Sequence, residues 1–332
     1  MHILEVALED SGKRVDNVSL KHLVGVKPEL EISRTLVQDM IDKGEVLLNG
    51  KKVKPSHKVN TGDKIEIDLE KLEKESLAEH CKKIPRAEKL PLNIIYEDDD
   101  ILVINKPAGM VVHPACGNYS GTLVNALLNY KGFLTDFNEP RTTNDDQRES
   151  RAKSRDERRI MRPGIVHRLD KDTSGVMLVA KRGSALRKLS GQLKNRTITK
   201  KYIAVVKGII ELEEGIIDLP VNHDKKNRMK MVIDRYEGKD AVTQFKVLSR
   251  NKEKNFTILE VTPKTGRTHQ IRIHFTHIGH PILGDTLYNG PAVQGLSRQA
   301  LHAKSISFIH PSKNIQVEFS AEIPADINQF LR

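Results

Sequence analysis

Cysteine is nearly missing from this chain. Cys81 and Cys116 are the only two in 332 residues, which excludes a disulfide framework and a cysteine-rich zinc site. No apolar run approaches the roughly 18–20 residues that spanning a bilayer requires, so no membrane partner is expected. The opening stretch, MHILEVALEDSGKRVD, lacks the basic-then-apolar order of a secretory signal. A cytoplasmic location is the expectation that follows. There is no internal repeat, no glycine-rich phosphate loop and no βαβ rhythm, which argues against a nucleotide-binding parallel sheet. The histidines His269, His274, His277 and His280 lie close together but without an H-E-x-x-H pattern, so no metal is expected.

What the chain does have is charge. Lys and Arg total 55 against 44 Asp and Glu, a net +11, with 30% charged and 38% hydrophobic residues overall. That composition suits a soluble globular protein, and a basic surplus of this size favours a polyanionic partner through phosphate contacts and counterion release. The length exceeds one average domain, so two folded units are expected.

Residues 13–70 read as a small α/β module. Ser33-Arg34 opens a segment in which Leu36, Val37, Met40 and Ile41 recur at helical spacing, and Gly44 stops it. Asn49-Gly50 is a strong hairpin signal, and Ile65 and Ile67 alternate beyond a Thr61-Gly62-Asp63 turn. Residues 71–90 are charge-dense and read as a linker with room for one short helix. From 91 to 332 strand-like runs dominate, with one short helix from Leu123 to Leu128 and another within THQIRIHFTHIG. Residues 136–162 hold one aliphatic, Ile160, and read as a disordered insertion, mildly basic between Arg141 and Arg162. The expected fold class is α+β: a mixed, largely antiparallel sheet with a small α/β module before it.

Three polar segments interrupt this pattern. IVHRLDKDTSG, residues 165–175, sets Asp170 and Asp172 among His167, Arg168 and Lys171 just before an apolar run. A capped turn explains Asp172-Thr173-Ser174-Gly175 well. Asp170 also suits a nucleophile or general base kept ionised by a nearby Arg. KKYIAVVKG, residues 200–208, holds Tyr202 among apolar neighbours, where a buried core tyrosine is the plainer reading. TPKTGRTHQIRIHFTHIGHPILGD brings Arg267 and Arg272, and on a helix Arg272 could project its guanidinium towards a carboxylate.

Taken together, INKPAGMVVHP, HRLDKDTSG, KKYIAVVKG, TGRTHQIRIH, GHPILGD and RQALHA, in this order, closely resemble the RluA/RluD family of ribosomal RNA pseudouridine synthases, over most of residues 92–332. Ser33-Arg34, Gln38, Gly44, Asn49-Gly50 and Gly62-Asp63 resemble the S-four-type RNA-binding domain that precedes this catalytic domain in many members. The resemblance implies a pseudouridine synthase fold and isomerisation of uridine in RNA without cofactor or metal. It places the essential aspartate on Asp170, the arginine that keeps it charged on Arg272, and the tyrosine that stacks on the target base on Tyr202. Tyr202 is also the candidate to take the proton from carbon five.

Flipping a stacked uridine out needs a brace, for which Arg168 is suited by position and by its planar guanidinium. Further RNA contacts are expected from His167, Arg267, His223, Lys225 and Arg228, and from Ser33, Arg34 and Lys43 in the module. The expected partner is large-subunit ribosomal RNA or an assembling ribosomal particle, met by a monomer. The alternatives are a catalytically silent ribosome-assembly factor and the same reaction on transfer RNA.

Overall fold

The computed structural model describes the chain except residues 31, 84, 115–117, 131–163, 226, 228 and 332 and the side chains of 77–83. The expected insertion at 136–162 lies outside the described residues. The chain divides into two compact units, Met1–Ile84 and Pro85–Arg332.

In the first unit β1 (His2–Glu5), α1 (Val15–Val26), α2 (Arg34–Lys43), β2 (Val46–Leu48), β3 (Lys64–Ile67) and α3 (Leu69–Lys83) follow one another, and the strands form an antiparallel sheet in the order β1-β3-β2. Helix α2 starts where Ser33 Oγ accepts the Leu36 N–H at 3.0 Å and stops at Gly44, whose φ of +81° a side chain would resist. Its Leu36, Val37, Met40 and Ile41 are buried as their spacing predicts. Asn49 and Gly50 both adopt positive φ, and Leu48 and Lys51 exchange backbone hydrogen bonds across them. The unit is wider than residues 13–70: β1 adds a strand before it, and Leu72 of α3 is fully buried in the same core. Thus the stretch from 71 is not a bare linker. It begins as the continuation of α3, because Leu69 and Leu72 bury one face of an otherwise charged helix.

The second unit is built on one nine-stranded sheet. Strands β4 (Ile94–Glu97), β5 (Ile101–Lys106), β6 (Ser174–Ala180), β7 (Thr199–Lys207), β8 (Glu214–Asp218), β11 (Val242–Asn251), β12 (Phe256–Pro263), β13 (Leu301–Ile309) and β14 (Gln316–Ser320) contribute to it, while β9 (Val221–His223) and β10 (Met231–Ile233) pair as a separate hairpin. The order is β4-β5-β6-β13-β7-β12-β11-β8, with β14 on β13, and every pairing is antiparallel except β6 with β13. Side chains alternate faces along a strand, and β5 and β6 divide accordingly. Leu102, Ile104, Met177 and Val179 enter one core, Ile101, Val103, Val176 and Leu178 the other. A strand buried on both faces explains why residues 176–180 are uninterruptedly apolar.

The first core is closed by α4 (Leu123–Asn129), α6 (Gln270–His277) and α7 (Ala325–Asn328), the second by α5 (Gly183–Lys194). Helix α5 stands where strands and turns were expected. Its Ala185 and Leu189 are buried, with Leu186 and Leu193 packed beside them, a helical spacing that the turn-rich surroundings obscure.

Where β6 meets β13 in parallel, the backbones come unusually close. Gly175 has φ +117°, and a Cβ there would overlap the Ala303 carbonyl. Gly175→Ala should therefore cost on the order of 3 kcal/mol, read as a lower denaturant midpoint at unchanged m-value.

Candidate functional site

The loop before β6 carries Asp170, and it is held rather than loose. Gly164 and Ile165 run along β6, with Ala180 N–H donating to Gly164 O at 2.8 Å, and the chain then turns where Thr173 N–H reaches Asp170 O at 3.1 Å. Two buried basic side chains grip the turn's carbonyls. Lys106, at the end of β5, donates from Nζ to Lys171 O at 2.9 Å and also to Pro107 O and Met110 O. Arg298 donates from Nη1 to Asp172 O at 3.0 Å while Asp326 holds the other side of its guanidinium. Burial pushes the Lys106 ammonium down to about 7, with the Asp172 and Asp170 charges pulling the other way. A turn whose carbonyls are committed to fixed donors presents its Asp170 side chain in one place.

That side chain faces α6. Arg272 donates from Nη1 to Asp170 Oδ2 at 3.3 Å, and its Nε and Nη2 form a two-point pair with Asp285 at 2.6 and 2.7 Å. Burial opposes the arginine charge, but the Asp285 and Asp170 carboxylates together more than offset it, and the Arg272 pKa rises. The guanidinium also lies 5.0 Å from the centre of the Tyr288 ring. Arg272 and Asp285 are almost completely enclosed, so their pairing is fixed against solvent.

Tyr202, on β7, is buried beside this pair and lines the same pocket as Arg168, Asp170, Arg267 and Arg272. Burial and then the Asp170 charge push its phenol above the ordinary tyrosine range, so it stays protonated at neutral pH. The loop between β12 and α6 is shaped by Gln270. Its carbonyl accepts from Thr265 Oγ1 and Arg267 N, and its amide donates to Val242 O and Thr243 Oγ1. The TGRTHQ segment is thus a shaped wall of the pocket as well as a source of charge.

The residues singled out by sequence fall into groups. Asp170, Tyr202, Arg272, Arg168 and Arg267 meet at the pocket. His167 does not: its Nε2 accepts the Leu178 N–H at 3.1 Å, and burial with the nearby Lys200 pushes its pKa down to about 3. A neutral ring used to pin the loop to β6 is not a phosphate cation. His223 sits on β9, and Lys225 forms an exposed pair with Glu237 at 3.2 Å. Arg228 lies outside the described residues.

In the first unit Ser33 caps α2, and Lys43 pairs with Glu75 at 2.6 Å. Arg34 converges with Arg14 and Gln38 on the fully buried Asp16, tying α1 to α2. The histidines disperse: His274 bonds Thr243 Oγ1 and Leu219 O, His280 bonds Lys207 O, and His277 is exposed. The one group of three possible metal ligands among the described residues is Asp98, Asp100 and His310, which includes none of these histidines.

Lys106, Asp285, Tyr288 and Arg298 are functional neighbours that the residue-by-residue reading does not single out. The first, second and fourth lie within INKPAGMVVHP, GHPILGD and RQALHA, so for them the motifs carried a signal.

His302, in the RQALHA segment, is a second silent histidine. It is completely buried on β13 with Nδ1 2.9 Å from Ser174 Oγ, and burial holds its pKa near 4. Below about pH 6.5 the unfolded chain takes up a proton that the fold refuses until about 4. Stability should therefore fall as pH drops through that window, by about 1.4 kcal/mol per pH unit for this proton. Melting curves of wild type and His302→Gln at pH 7 and 4.5 check this: the acid-induced drop should be smaller in the variant.

Comparison with known proteins gives consistent matches. The family model described as RNA pseudouridylate synthase matches residues 100–277, and the S4 domain model matches residues 29–65. The "Uncharacterized RNA pseudouridine synthase YlyB" of Bacillus subtilis (strain 168) is 42% identical over 323 residues, covering 97% of this chain and 94% of that protein. The "Ribosomal large subunit pseudouridine synthase D" of Neisseria meningitidis serogroup A is 39% identical, covering 99% of this chain and 80% of that one. The Yersinia pestis protein of the same name is 36% identical, covering 98% and 92%.

Proposed function

This chain belongs to the RluA/RluD family of RNA pseudouridine synthases, with an S-four-type RNA-binding domain near its N-terminus, and we propose that it isomerises chosen uridines of large-subunit ribosomal RNA, with Asp170 as the reacting carboxylate. The observation that carries the residue assignment is the meeting of Asp170, its Arg272 partner and the buried Tyr202 in one pocket rimmed by Arg168 and Arg267. Support for the ribosomal substrate comes from the printed names of the Neisseria and Yersinia relatives and from the RNA-binding domain.

The reaction breaks the bond from ribose C1′ to N1, turns the freed uracil and joins C1′ to C5; the C5 proton leaves and N1 gains one, so the net change is isomerisation. It consumes no cofactor. Asp170 acts at the ribose, where a carboxylate anion suits both attack on the sugar and stabilisation of positive charge developing there. Arg272 pairs with that carboxylate and aims it, and Asp285 keeps Arg272 in place. Tyr202 supplies a flat apolar surface for the flipped base. Its phenol, held protonated, can take the C5 proton only as it gives up its own, and the Asp170 carboxylate lining the same pocket is the base proposed to receive it. Arg168, exposed at the pocket mouth, braces the gap that the flipped nucleotide leaves. The enzyme works as a monomer in the cytoplasm on this reading.

The test is complementation. Cells lacking the native gene receive wild type or Asp170→Ala, and ribosomal RNA is treated with carbodiimide and read by reverse transcription. Pseudouridine stops restored by wild type alone support the reading. Wild type restoring none on ribosomal RNA moves the assignment to transfer RNA, and full restoration by the variant removes Asp170 from the reaction.

A further inference from the structure

His269 stands at the N-terminal end of α6 with φ +53° and ψ +17°, a left-handed conformation uncommon outside glycine. Backbone held this way costs free energy, and it persists where a side chain must be aimed. Here the ring is aimed into the pocket, with Nε2 3.9 Å from Asp170 Oδ2.

The ring's tautomer follows from its neighbours. Tyr288 Oη accepts the Met231 N–H at 2.8 Å and lies 2.9 Å from His269 Nδ1. Tyr288 is buried, and among its described hydrogen bonds only Nδ1 can accept the hydroxyl hydrogen. Donation from the tyrosine makes Nδ1 the acceptor, so in the neutral ring the proton sits on Nε2. That N–H points at the pocket. At 3.9 Å it is too far from Asp170 for a hydrogen bond, and among the described residues Nε2 has no other partner. Burial lowers the His269 pKa, reinforced by Arg272 and Arg168 and opposed by Asp170 and Asp285, which favours the neutral ring.

We propose that His269 is a substrate-orienting donor, its Nε2–H bonding an oxygen of the flipped uridine beside Asp170, with Tyr288 as the positioning residue that sets its tautomer. This deepens the uridine-isomerase reading and rests on it. The acceptor is a ribose hydroxyl or a uracil carbonyl, oxygens that the same N–H can serve. Through Met231 the β9–β10 hairpin is joined to the tautomer, since its backbone N–H fills the tyrosine oxygen.

The experiment uses the full chain on an unmodified large-subunit RNA transcript, with multiple-turnover formation of pseudouridine measured by nucleoside analysis over a range of RNA concentrations. His269→Ala is expected to lower kcat by about 10²-fold, as loss of one oriented donor does, with KM for RNA little changed. His269→Gln, whose amide N–H can replace Nε2–H, should recover most of that loss, and Tyr288→Phe should cost about 10-fold in kcat alone, a tautomer penalty of about 1.4 kcal/mol.

Transcripts carrying 2′-deoxyuridine, 2-thiouridine or 4-thiouridine at the target locate the acceptor: the replacement that harms wild type but not His269→Ala marks the oxygen. Equal activity of His269→Ala and wild type would overturn the proposal while leaving the isomerase reading intact. So would equal losses in the Ala and Gln variants, which mark a structural role, or replacements that harm both proteins alike. Wild type that converts no uridine in any RNA overturns the underlying reading and this proposal together.

Discussion

Asp170→Asn should lower turnover by at least about 10⁴-fold while leaving the fold and RNA affinity nearly as they were. The substitution changes one atom. The asparagine carbonyl can still accept from Arg272 Nη1, and the grip of Lys106 and Arg298 on the turn uses the main-chain carbonyls of Lys171 and Asp172, which the substitution does not touch. What disappears is the negative charge and, with it, the base proposed to serve Tyr202. Single-turnover conversion of an RNA transcript, with RNA binding and melting temperature measured on the same preparation, separates these effects. Retained turnover, or a loss matched by weaker RNA binding, would show that Asp170 serves a role other than the one assigned.

The second large effect is expected for Arg272→Lys. The guanidinium satisfies two carboxylates at once because its donors are fixed in a plane, Nε and Nη2 toward Asp285 and Nη1 toward Asp170. An ammonium at the end of a flexible stem can serve one of them. Asp285 is the more deeply buried, so the lysine stays with it, and Asp170 loses its cation. Activity should fall by about 10²–10³-fold, and stability by a few kcal/mol at most, since one buried pair survives. Arg272→Met leaves both carboxylates unpaired and should cost about 3–5 kcal/mol of stability as well. Turnover and urea unfolding of the two variants check the order. If Arg272→Lys keeps full activity, the charge alone suffices and the fork geometry is irrelevant.

Much of the module and the sheet could be read directly. Ser33, Gly44 and Asn49-Gly50 act through bonds within a few residues of themselves, so their helix cap, helix stop and turn are local chemistry, and the alternation of Ile65 and Ile67 needs only a sheet face to bury against. Helix α3 and helix α5 were harder because their apolar faces are narrow and surrounded by charge; α3 is decided by Leu72 finding the module's core. What His167 bonds is hidden for a related reason. Its position beside Arg168 and Asp170 does not show that, in a loop running along β6, its Nε2 accepts the Leu178 N–H while burial holds its pKa low.

By itself the order of residues determined the two-part organisation, the basic surplus, the strand-rich larger unit and the three charged segments that meet at the pocket. The segments' resemblance to a known family could be seen without coordinates because motif order and residue type survive in the linear chain. Only the tertiary structure decided which atoms meet. Asp170 and Arg272 are 102 positions apart, and Lys106 reaches Lys171 O across 65. The parallel approach of β6 and β13 that demands Gly175, the Asp285 beneath Arg272 and the Tyr288 hydroxyl that sets the His269 tautomer are likewise long-range. Such contacts depend on strand register and on side-chain direction, and neither is encoded in spacing along the chain.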